Sequence, residues 1–179
     1  NCYNLLLQLN AKSLQFSVEK VNVPGQPFRS LVQYKNFNAL YLRIIKADEK
    51  LKENLLNHYD EKYWPAIMAA KPIKSWEQNL PATNDTQQHS TEIKIDGLPV
   101  GDYVLVASSD KDFNGKKMVM GARLFYVSGI SYVNNGKDYF VLNRDNGQPL
   151  TKAAVQVWEQ KYDYKQSKYT KEKGKIYTT

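Results

Sequence analysis

The strongest constraint on the fold is the alternation of apolar and polar residues before Gly129. Leu14, Phe16 and Val18 are separated by polar residues, and the same spacing recurs in about seven segments. Successive side chains of a strand point to opposite faces, so this period is typical of strands with one buried face. It predicts an all-β protein, an Ig-like antiparallel β-sandwich. The longest predicted strand, Lys117 to Val127, has on one face Met118, Met120, Ala122, Leu124 and Tyr126.

Between residues 48 and 70 the period changes from two to four. Leu51, Leu55 and Tyr59 recur among charged residues, which is the spacing of one helix face. Asp48 stands where an N-cap residue is expected, and Pro65 is tolerated at the first position of a helix. We therefore predict a short helical insertion at about 48–70, within a sandwich domain that covers residues 11–128.

After Gly129 the strand pattern begins again. Asn135-Gly136 lies between two apolar segments and favours a tight hairpin turn. Residues 129–179 are about half of the ~100 residues that a sandwich requires. They are predicted to be the N-terminal part of a second, truncated sandwich domain. Unpaired strand edges and an uncovered apolar face favour weak self-association through residues 130–179, or disorder in part of that region.

The net charge of +7 is concentrated in the last third of the 179 residues. Up to Ser128 there are 16 basic and 13 acidic side chains, and from Gly129 onward there are 9 and 5. Lysines and tyrosines alternating in this way stack on bases in some nucleic-acid-binding proteins, but they also form solvated strand pairs. We favour the solvated strand pair and expect no nucleic-acid partner. The residues concerned are Lys161, Lys165, Lys168, Lys171, Lys173 and Lys175, with Tyr162, Tyr164, Tyr169 and Tyr177.

Residues suited to catalysis or to zinc binding are few. His58 lies on the predicted helix, where an exposed polar role is expected, and His89 precedes Ser90, whose hydroxyl is expected to bond the local backbone. Cys2 and two distant histidines do not form a zinc pattern. The sequence therefore predicts no catalytic, cofactor-binding or metal-binding residue, and no enzyme.

One segment resembles half of a calcium loop. Asp110 to Gly115 has oxygen-bearing residues at alternate positions before a glycine, but the twelfth position is Gly121 instead of a bidentate glutamate. We favour a plain turn rich in Asp, Asn and Gly.

The three tryptophans leave a second function open. Trp64, Trp76 and Trp158 are far apart in sequence, and large aromatic residues usually anchor packing. A solvent-facing pair would instead favour stacking on sugars. The alternative function is therefore a cell-surface carbohydrate-binding or adhesin β-sandwich module.

Two segments carry a family resemblance. Lys71 to Phe113 contains Lys-Pro-x-x-x-Trp, then His-Ser-Thr-Glu-Ile-Lys, Leu-Pro-x-Gly-x-Tyr and a strand that ends in Ser-x-Asp; Tyr139 to Trp158 contains Asn-Gly-Gln-Pro-Leu before a strand. Together they cover about a third of the chain and resemble the bacterial alpha-2-macroglobulin-like proteins, particularly the large versions of Bacteroidetes.

The same motifs have a physical role. Gly97 to Gly101 allows a tight reversal that places Tyr103 over one end of the core, with its hydroxyl hydrogen-bonded. Gly147 to Leu150 reverses the chain in the second unit, with Leu150 as an apolar plug. These residues make the fold.

The resemblance implies a non-catalytic scaffold or interaction domain of a protease inhibitor. Members of this family are traps built from chains of seven-stranded sandwich domains, with a cleaved bait segment and, in some, a Cys-Gln thioester. Cys2 is followed by Tyr3, Asn4 and Leu5, so this chain contains no Cys-x-x-Gln sequence. Implied partners are neighbouring macroglobulin-like domains and a target protease, in a secreted or membrane-anchored parent protein in the periplasm or at the cell surface. The Trp64-Pro65 corner of the insertion packs on the domain or meets a neighbour.

Overall fold

The computed structural model describes residues 2–83, 85–115, 117–165 and 167–179. The chain divides into two compact units, 1–128 and 129–179. Strands hold 51% of the residues and helices 13%, which confirms the predicted fold class. The described residues include no helix that is long and apolar enough to cross a lipid bilayer. The assignment of each unit to a separate macroglobulin-like domain stays a prediction.

The first unit is a two-sheet sandwich with added helices. Its described elements are α1 (Cys2–Asn10), β1 (Ser13–Val18), β2 (Val21–Asn22), β3 (Phe28–Lys35), β4 (Ala39–Lys46), α2 (Glu49–Asn54), α3 (Tyr63–Ala69), β5 (Pro72–Asn79), β6 (His89–Ile95), β7 (Gly101–Ser108) and β8 (Met120–Val127). One sheet has the order β1-β3-β6 and the other the order β2-β8-β7-β4-β5. The pairing of β2 with β8 is parallel, and the other pairings are antiparallel.

The core between the two sheets is made by residues that the alternation places on inward faces. Val32 and Tyr34 of β3 each keep 1% of their surface exposed, and Ile44 of β4 and Phe125 of β8 are completely buried. The rings of Phe125 and Tyr103 are stacked with their centroids 5.7 Å apart. Because full burial of a side chain of this size is worth about 1.5–3 kcal/mol, this layer holds the sheets together.

The outer face of the five-stranded sheet is buried as well. Along β7 every residue from Tyr103 to Ser108 is buried, since α2 and α3 cover the face that a two-layer sandwich leaves to solvent. Val104 packs there with Leu51 of α2 and Ile67 of α3 in a second apolar cluster. The helical insertion therefore forms a third layer.

The start of α2 is as predicted. Asp48 is its N-cap, and its Oδ1 accepts a hydrogen bond from the backbone N–H of Leu51 at 2.7 Å. Lys52 then fixes the helix to the sheet, because its Nζ lies 2.6 Å from Oδ2 of Asp102 at the start of β7. This hydrogen bond, followed by that to Glu49, raises the pKa of Lys52 above its ordinary range.

The second half of the insertion differs from the prediction. The side chains of Asn57 and Asp60 accept hydrogen bonds from nearby backbone N–H groups, which competes with helix formation. Tyr59 is consequently 85% exposed instead of lying on an apolar helix face. α3 begins at Tyr63, before Pro65, and the proline stays within the first turn, where its missing N–H is tolerated.

Two further features were not predicted, the start of β8 and the helix α1. β8 begins at Met120 instead of Lys117, because the N–H of Met118 bonds the carbonyl of Gly115 in a turn. The short α1 precedes β1 and has no buried residue. Asn36 caps its C-terminal end by donating from Nδ2 to the carbonyls of Leu9 and Ala11.

The predicted corner before β7 is confirmed. Tyr103 is 1% exposed, and its hydroxyl donates to the carbonyl of Pro99 at 2.9 Å. Its burial raises the pKa of the phenol. A side chain at Gly97 would place Cβ 2.3 Å from the carbonyl oxygen of Gly25, so glycine is required there.

The second unit consists of two hairpins. Its described strands are β9 (Ile130–Asn135), β10 (Asp138–Asn143), β11 (Ala154–Asp163) and β12 (Lys168–Thr178), paired as β10-β9 and β11-β12. Gly136, with φ of 61°, starts the two-residue loop of the predicted first hairpin. Val141 is the buried hydrophobic residue among those described here, and Leu150 is half-buried.

Candidate functional site

The two histidines lie at different places in the first unit. His58 is exposed in the turn after α2, with its ring centroid 3.7 Å from that of Tyr59. His89 begins β6, and its Nε2 lies 2.9 Å from Oδ1 of Asp85. This contact, with a backbone hydrogen bond from Gln87, lowers the pKa of Asp85. Ser90 points to the opposite face of β6, so the structure does not bring Ser90 and His89 together.

The segment that resembles a calcium loop forms a turn. Oδ2 of Asp110 accepts hydrogen bonds from the N–H groups of Asn114 and Gly115 at 3.2 and 3.3 Å. Phe113, at a φ of 59°, is buried in the second apolar cluster, with the guanidinium of Arg43 3.9 Å from its ring centroid. Within the described ranges, no group of three or more potential ligands among His, Cys, Asp and Glu is placed to hold a metal ion.

The tryptophans divide between packing and exposure. Trp64 packs against the second apolar cluster and Trp76 against the core between the sheets, as expected for packing anchors. Trp158 differs from that expectation and is 53% exposed. It lies on β11, which among the described residues forms a two-stranded sheet with β12.

A groove of about 450 Å³ runs beside β8 in the first unit. One wall comes from β1 with Phe16, and another comes from the helical insertion with Tyr63 and Trp64. The remaining lining residues are Leu14, Gln15, His58, Met120, Gly121, Ala122 and Arg123. Because the walls belong to the two opposite faces of the five-stranded sheet, the groove lies along the edge of β8.

Hydrogen-bond directions show which groups of β8 face this edge. The N–H of Ser109 bonds the carbonyl of Val119 at 3.0 Å, so odd-numbered residues of this segment bond towards β7. Even-numbered residues point their N–H and C=O groups the other way. Tyr126 confirms this, because its N–H bonds the carbonyl of Lys20 at 2.8 Å on the side away from β7.

The edge is only partly covered by β2. β2 pairs with Tyr126 and Val127 alone, and no other strand of the described residues pairs with this side of β8. Ala122, which lines the groove, and Leu124 therefore direct backbone groups away from β7 without a strand partner among those residues.

The lining of the groove contains one basic side chain with a permanent charge, that of Arg123. Arg123 has its guanidinium carbon 5.4 Å from the ring centroid of Phe16 and donates from one terminal nitrogen to the carbonyl of Ala122 at 3.0 Å. The lining contains no aspartate or glutamate, and no ion pair engages Arg123 among the described residues. Burial raises the pKa of Tyr63, and Arg123 opposes that shift.

The sequence alone did not indicate Arg123 or the edge of β8 as part of a site. The available indication was Gly121, since an isolated glycine inside a strand pattern often marks close approach of another group. A Cβ at Gly121 would lie 2.9 Å from Cε1 of Phe16. The Trp64-Pro65 corner does pack on the domain, where Trp64 forms part of the groove wall.

The hairpin of β11 and β12 has two unlike faces. Cross-strand pairing places on one face, here called the aromatic face, Trp158, Gln160, Tyr162, Tyr169, Lys171 and Lys173. The opposite face carries Glu159 and Glu172, and Lys161 forms an ion pair with Glu172 at 2.5 Å. The predicted lysine- and tyrosine-rich strand pair is therefore present and exposed. The absence of a nucleic-acid partner stays a prediction.

Comparison with solved structures finds a similar fold in a bacterial protein. The crystal structure of native alpha-2-macroglobulin from Escherichia coli spanning domains MG0-NIE-MG1 matches with a TM-score of 0.54 and 13% identity, over 91% of this chain and 54% of that chain. Escherichia coli alpha-2-macroglobulin activated by porcine elastase matches with a TM-score of 0.37 and 11% identity, over 94% of this chain and 18% of that chain.

Sequence comparison adds no family. No known protein family and no curated protein matches this sequence. This chain spans about half the length of the first matching structure. At 13% identity the likeness shows the fold alone, and the fold is that of domains of a bacterial alpha-2-macroglobulin.

Proposed function

We propose that this chain is a non-catalytic scaffold segment of a bacterial alpha-2-macroglobulin-like protease inhibitor. The observation that carries the proposal is the likeness of fold to the Escherichia coli protein over 91% of this chain. In such a protein the segment would work through its shape and its contacts with neighbouring domains.

The use of polar side chains in the first unit supports a structural role. The hydroxyl of Tyr103 closes a corner, Asp48 caps a helix, and Asp110 holds a turn. Each group satisfies a local backbone donor or acceptor, which stabilises the fold.

The finer parts of the proposal are the partners and the location. We assign to the parent protein neighbouring macroglobulin-like domains, a target protease, and a periplasmic or cell-surface location. The Bacteroidetes type of architecture belongs to the same proposal. Separating cells into periplasmic, surface and cytoplasmic fractions tests the location, and recovery of the protein in the cytoplasm would contradict it.

The test of function uses the natural protein that contains this chain, incubated with elastase. Cleavage of casein and of a small chromogenic peptide is then followed. A trap hides the protease from large substrates, so we expect casein cleavage to fall while cleavage of the small peptide continues. Equal inhibition of both substrates, or of neither, would contradict the proposal.

A second candidate function is carbohydrate binding by the second unit. The favouring observation is the exposure of Trp158 and Tyr169, 53% and 66%, on the aromatic face. Tyr162 meets Tyr164 and Tyr169 at 83° and 67°, so these rings do not form a flat platform, and stacking on a sugar would rest mainly on Trp158. Loss of glycan-array binding in Trp158→Ala but not in Tyr59→Ala would support this function, and no binding by the intact protein would exclude it.

A further inference from the structure

The groove beside β8 combines three properties that suit it to binding a peptide. Among the described residues it has a strand edge that only β2 pairs in part, apolar walls on both sides of that edge, and an arginine without a carboxylate partner. We propose that it binds an extended peptide segment that adds as a strand to β8 and places a carboxylate on Arg123.

The edge of β8 offers backbone hydrogen-bonding groups to a ligand. By the alternation of hydrogen-bond directions, the N–H of Ala122 and the N–H and C=O groups of Leu124 face the edge of β8 away from β7, and Ala122 lines the groove. β2 already pairs with the same edge one step further along the strand, at Tyr126 and Val127. The edge therefore has a geometry that accepts a strand, and main-chain hydrogen bonds would supply affinity that depends little on sequence.

The walls of the groove would contact the side chains of a bound peptide. Side chains of an added strand alternate between the two faces of the sheet. On the inner side they would meet Leu14 and Phe16 of β1, and on the outer side they would meet Tyr63 and Trp64. These contacts favour apolar or aromatic side chains on the bound segment.

The charge of Arg123 favours a peptide that carries a carboxylate. A guanidinium has five N–H donors, and the contact with the carbonyl of Ala122 uses one terminal nitrogen of Arg123. The lining offers no acidic side chain to Arg123, so a carboxylate on the ligand would complete its hydrogen bonding. A small anion would satisfy Arg123 but would leave the backbone edge and the aromatic walls without contacts.

The test begins with a displayed library of random 12-residue peptides, selected on the intact protein. We expect enriched sequences to contain Asp or Glu beside apolar residues at alternate positions, and the acidic preference to disappear when Arg123→Glu is the target. Failure to enrich any sequence, or enrichment without an acidic residue, would overturn the proposal.

Synthetic peptides from the selection then test the binding mode. We expect Arg123→Ala to weaken binding by about tenfold or more, whereas Arg29→Ala, at an exposed arginine on β3, should change it by less than about twofold. N-methylation of alternate residues of the peptide should abolish binding if strand pairing is required. Equal affinity for Arg123→Ala and the unchanged protein would contradict the role of the arginine.

Amide hydrogen exchange locates the bound segment. In the free protein the amides of Ala122 and Leu124 should exchange faster than those of Gly121 and Arg123, which bond towards β7. The peptide should slow exchange at Ala122 and Leu124. Protection confined to other strands, or protection of these amides by concentration-dependent dimerisation without peptide, would overturn the proposal. The outcome is separate from protease trapping, since it is measured on this chain alone.

Discussion

The two units apply the same residue alternation with opposite results. In the first unit, alternating strands face a second layer, and residues such as Phe125 and Leu105 are completely buried. In the second unit, Tyr139, Trp158 and Tyr169 remain more than half exposed on two separate hairpins. A period of two therefore predicts a strand, whereas burial requires another sheet or helix to pack against.

The largest expected effect on stability comes from truncating one aromatic side chain in each unit. Phe125→Ala removes a ring between two sheets and should lower the free energy of unfolding by about 3–5 kcal/mol. Trp158→Ala removes an exposed ring and should lower it by less than about 1 kcal/mol. Urea unfolding of both variants measures the effects. A larger loss in Trp158→Ala would show that the second unit has a core of its own.

Two glycine substitutions, one in each unit, test the same difference with smaller expected effects on stability. In Gly97→Ala the new Cβ would meet the backbone of Gly25, and relief of that overlap should cost about 1–3 kcal/mol. A Cβ added at Gly136 would have no atom within 4 Å apart from those of the glycine and its two chain neighbours. Gly136→Ala should therefore cost about 1 kcal/mol, for the positive φ alone. Thermal unfolding of the two variants checks the order, and the reverse order would contradict the close approach at Gly97.

Alkaline pH should weaken the first unit. Burial raises the pKa of Tyr34 and of Tyr103, so above about pH 10 the unfolded chain loses protons that the folded chain keeps. The hydrogen bond to Asp102 raises the pKa of Lys52, which acts in the same direction. Stability present at neutral pH is thus lost as pH rises.

Urea unfolding at pH 8 and at pH 11 measures that loss. The urea midpoint should fall at pH 11, and Tyr103→Phe should show a smaller fall because it cannot ionise. A midpoint that stays constant or rises between these pH values would contradict the assigned shifts.

The smallest expected effect is weak self-association through residues 130–179. Exposed apolar side chains and open strand edges favour pairing between copies. Light scattering over a range of concentrations should show a rising apparent mass, reduced in Trp158→Lys. Leu56→Lys, at a residue that is 84% exposed in the first unit, is the matched control. A strict monomer with an ordered second unit would contradict this prediction.

Local rules explain the features that the sequence predicted well. The strand positions of Val32 and Ile93, the N-cap at Asp48 and the corner at Tyr103 each depend on residue spacing or on one nearby backbone group. Such contacts are encoded within a few residues, so they are readable without knowledge of the tertiary structure.

Two of the missed features come from local turns that compete with the dominant residue period, and the third depends on distant parts of the chain. The start of β8 depends on a turn closed by Gly115, and the exposure of Tyr59 depends on turns that interrupt the helical period. The groove joins β1, β8 and the helical insertion, so apart from Gly121 nothing near Arg123 in sequence indicated its surroundings. Only the packing of separate elements brings the residues that line the groove together.

Amide hydrogen exchange of the intact protein tests the central comparison most directly. We expect the amides of β7, from Tyr103 to Ala107, to be the slowest, because they open only with the whole first unit. Amides of β11 and β12 should exchange about a hundredfold faster or more, since a two-stranded sheet is marginally stable by itself. Equal protection of β7 and β11 would contradict the difference between a closed core and an open hairpin.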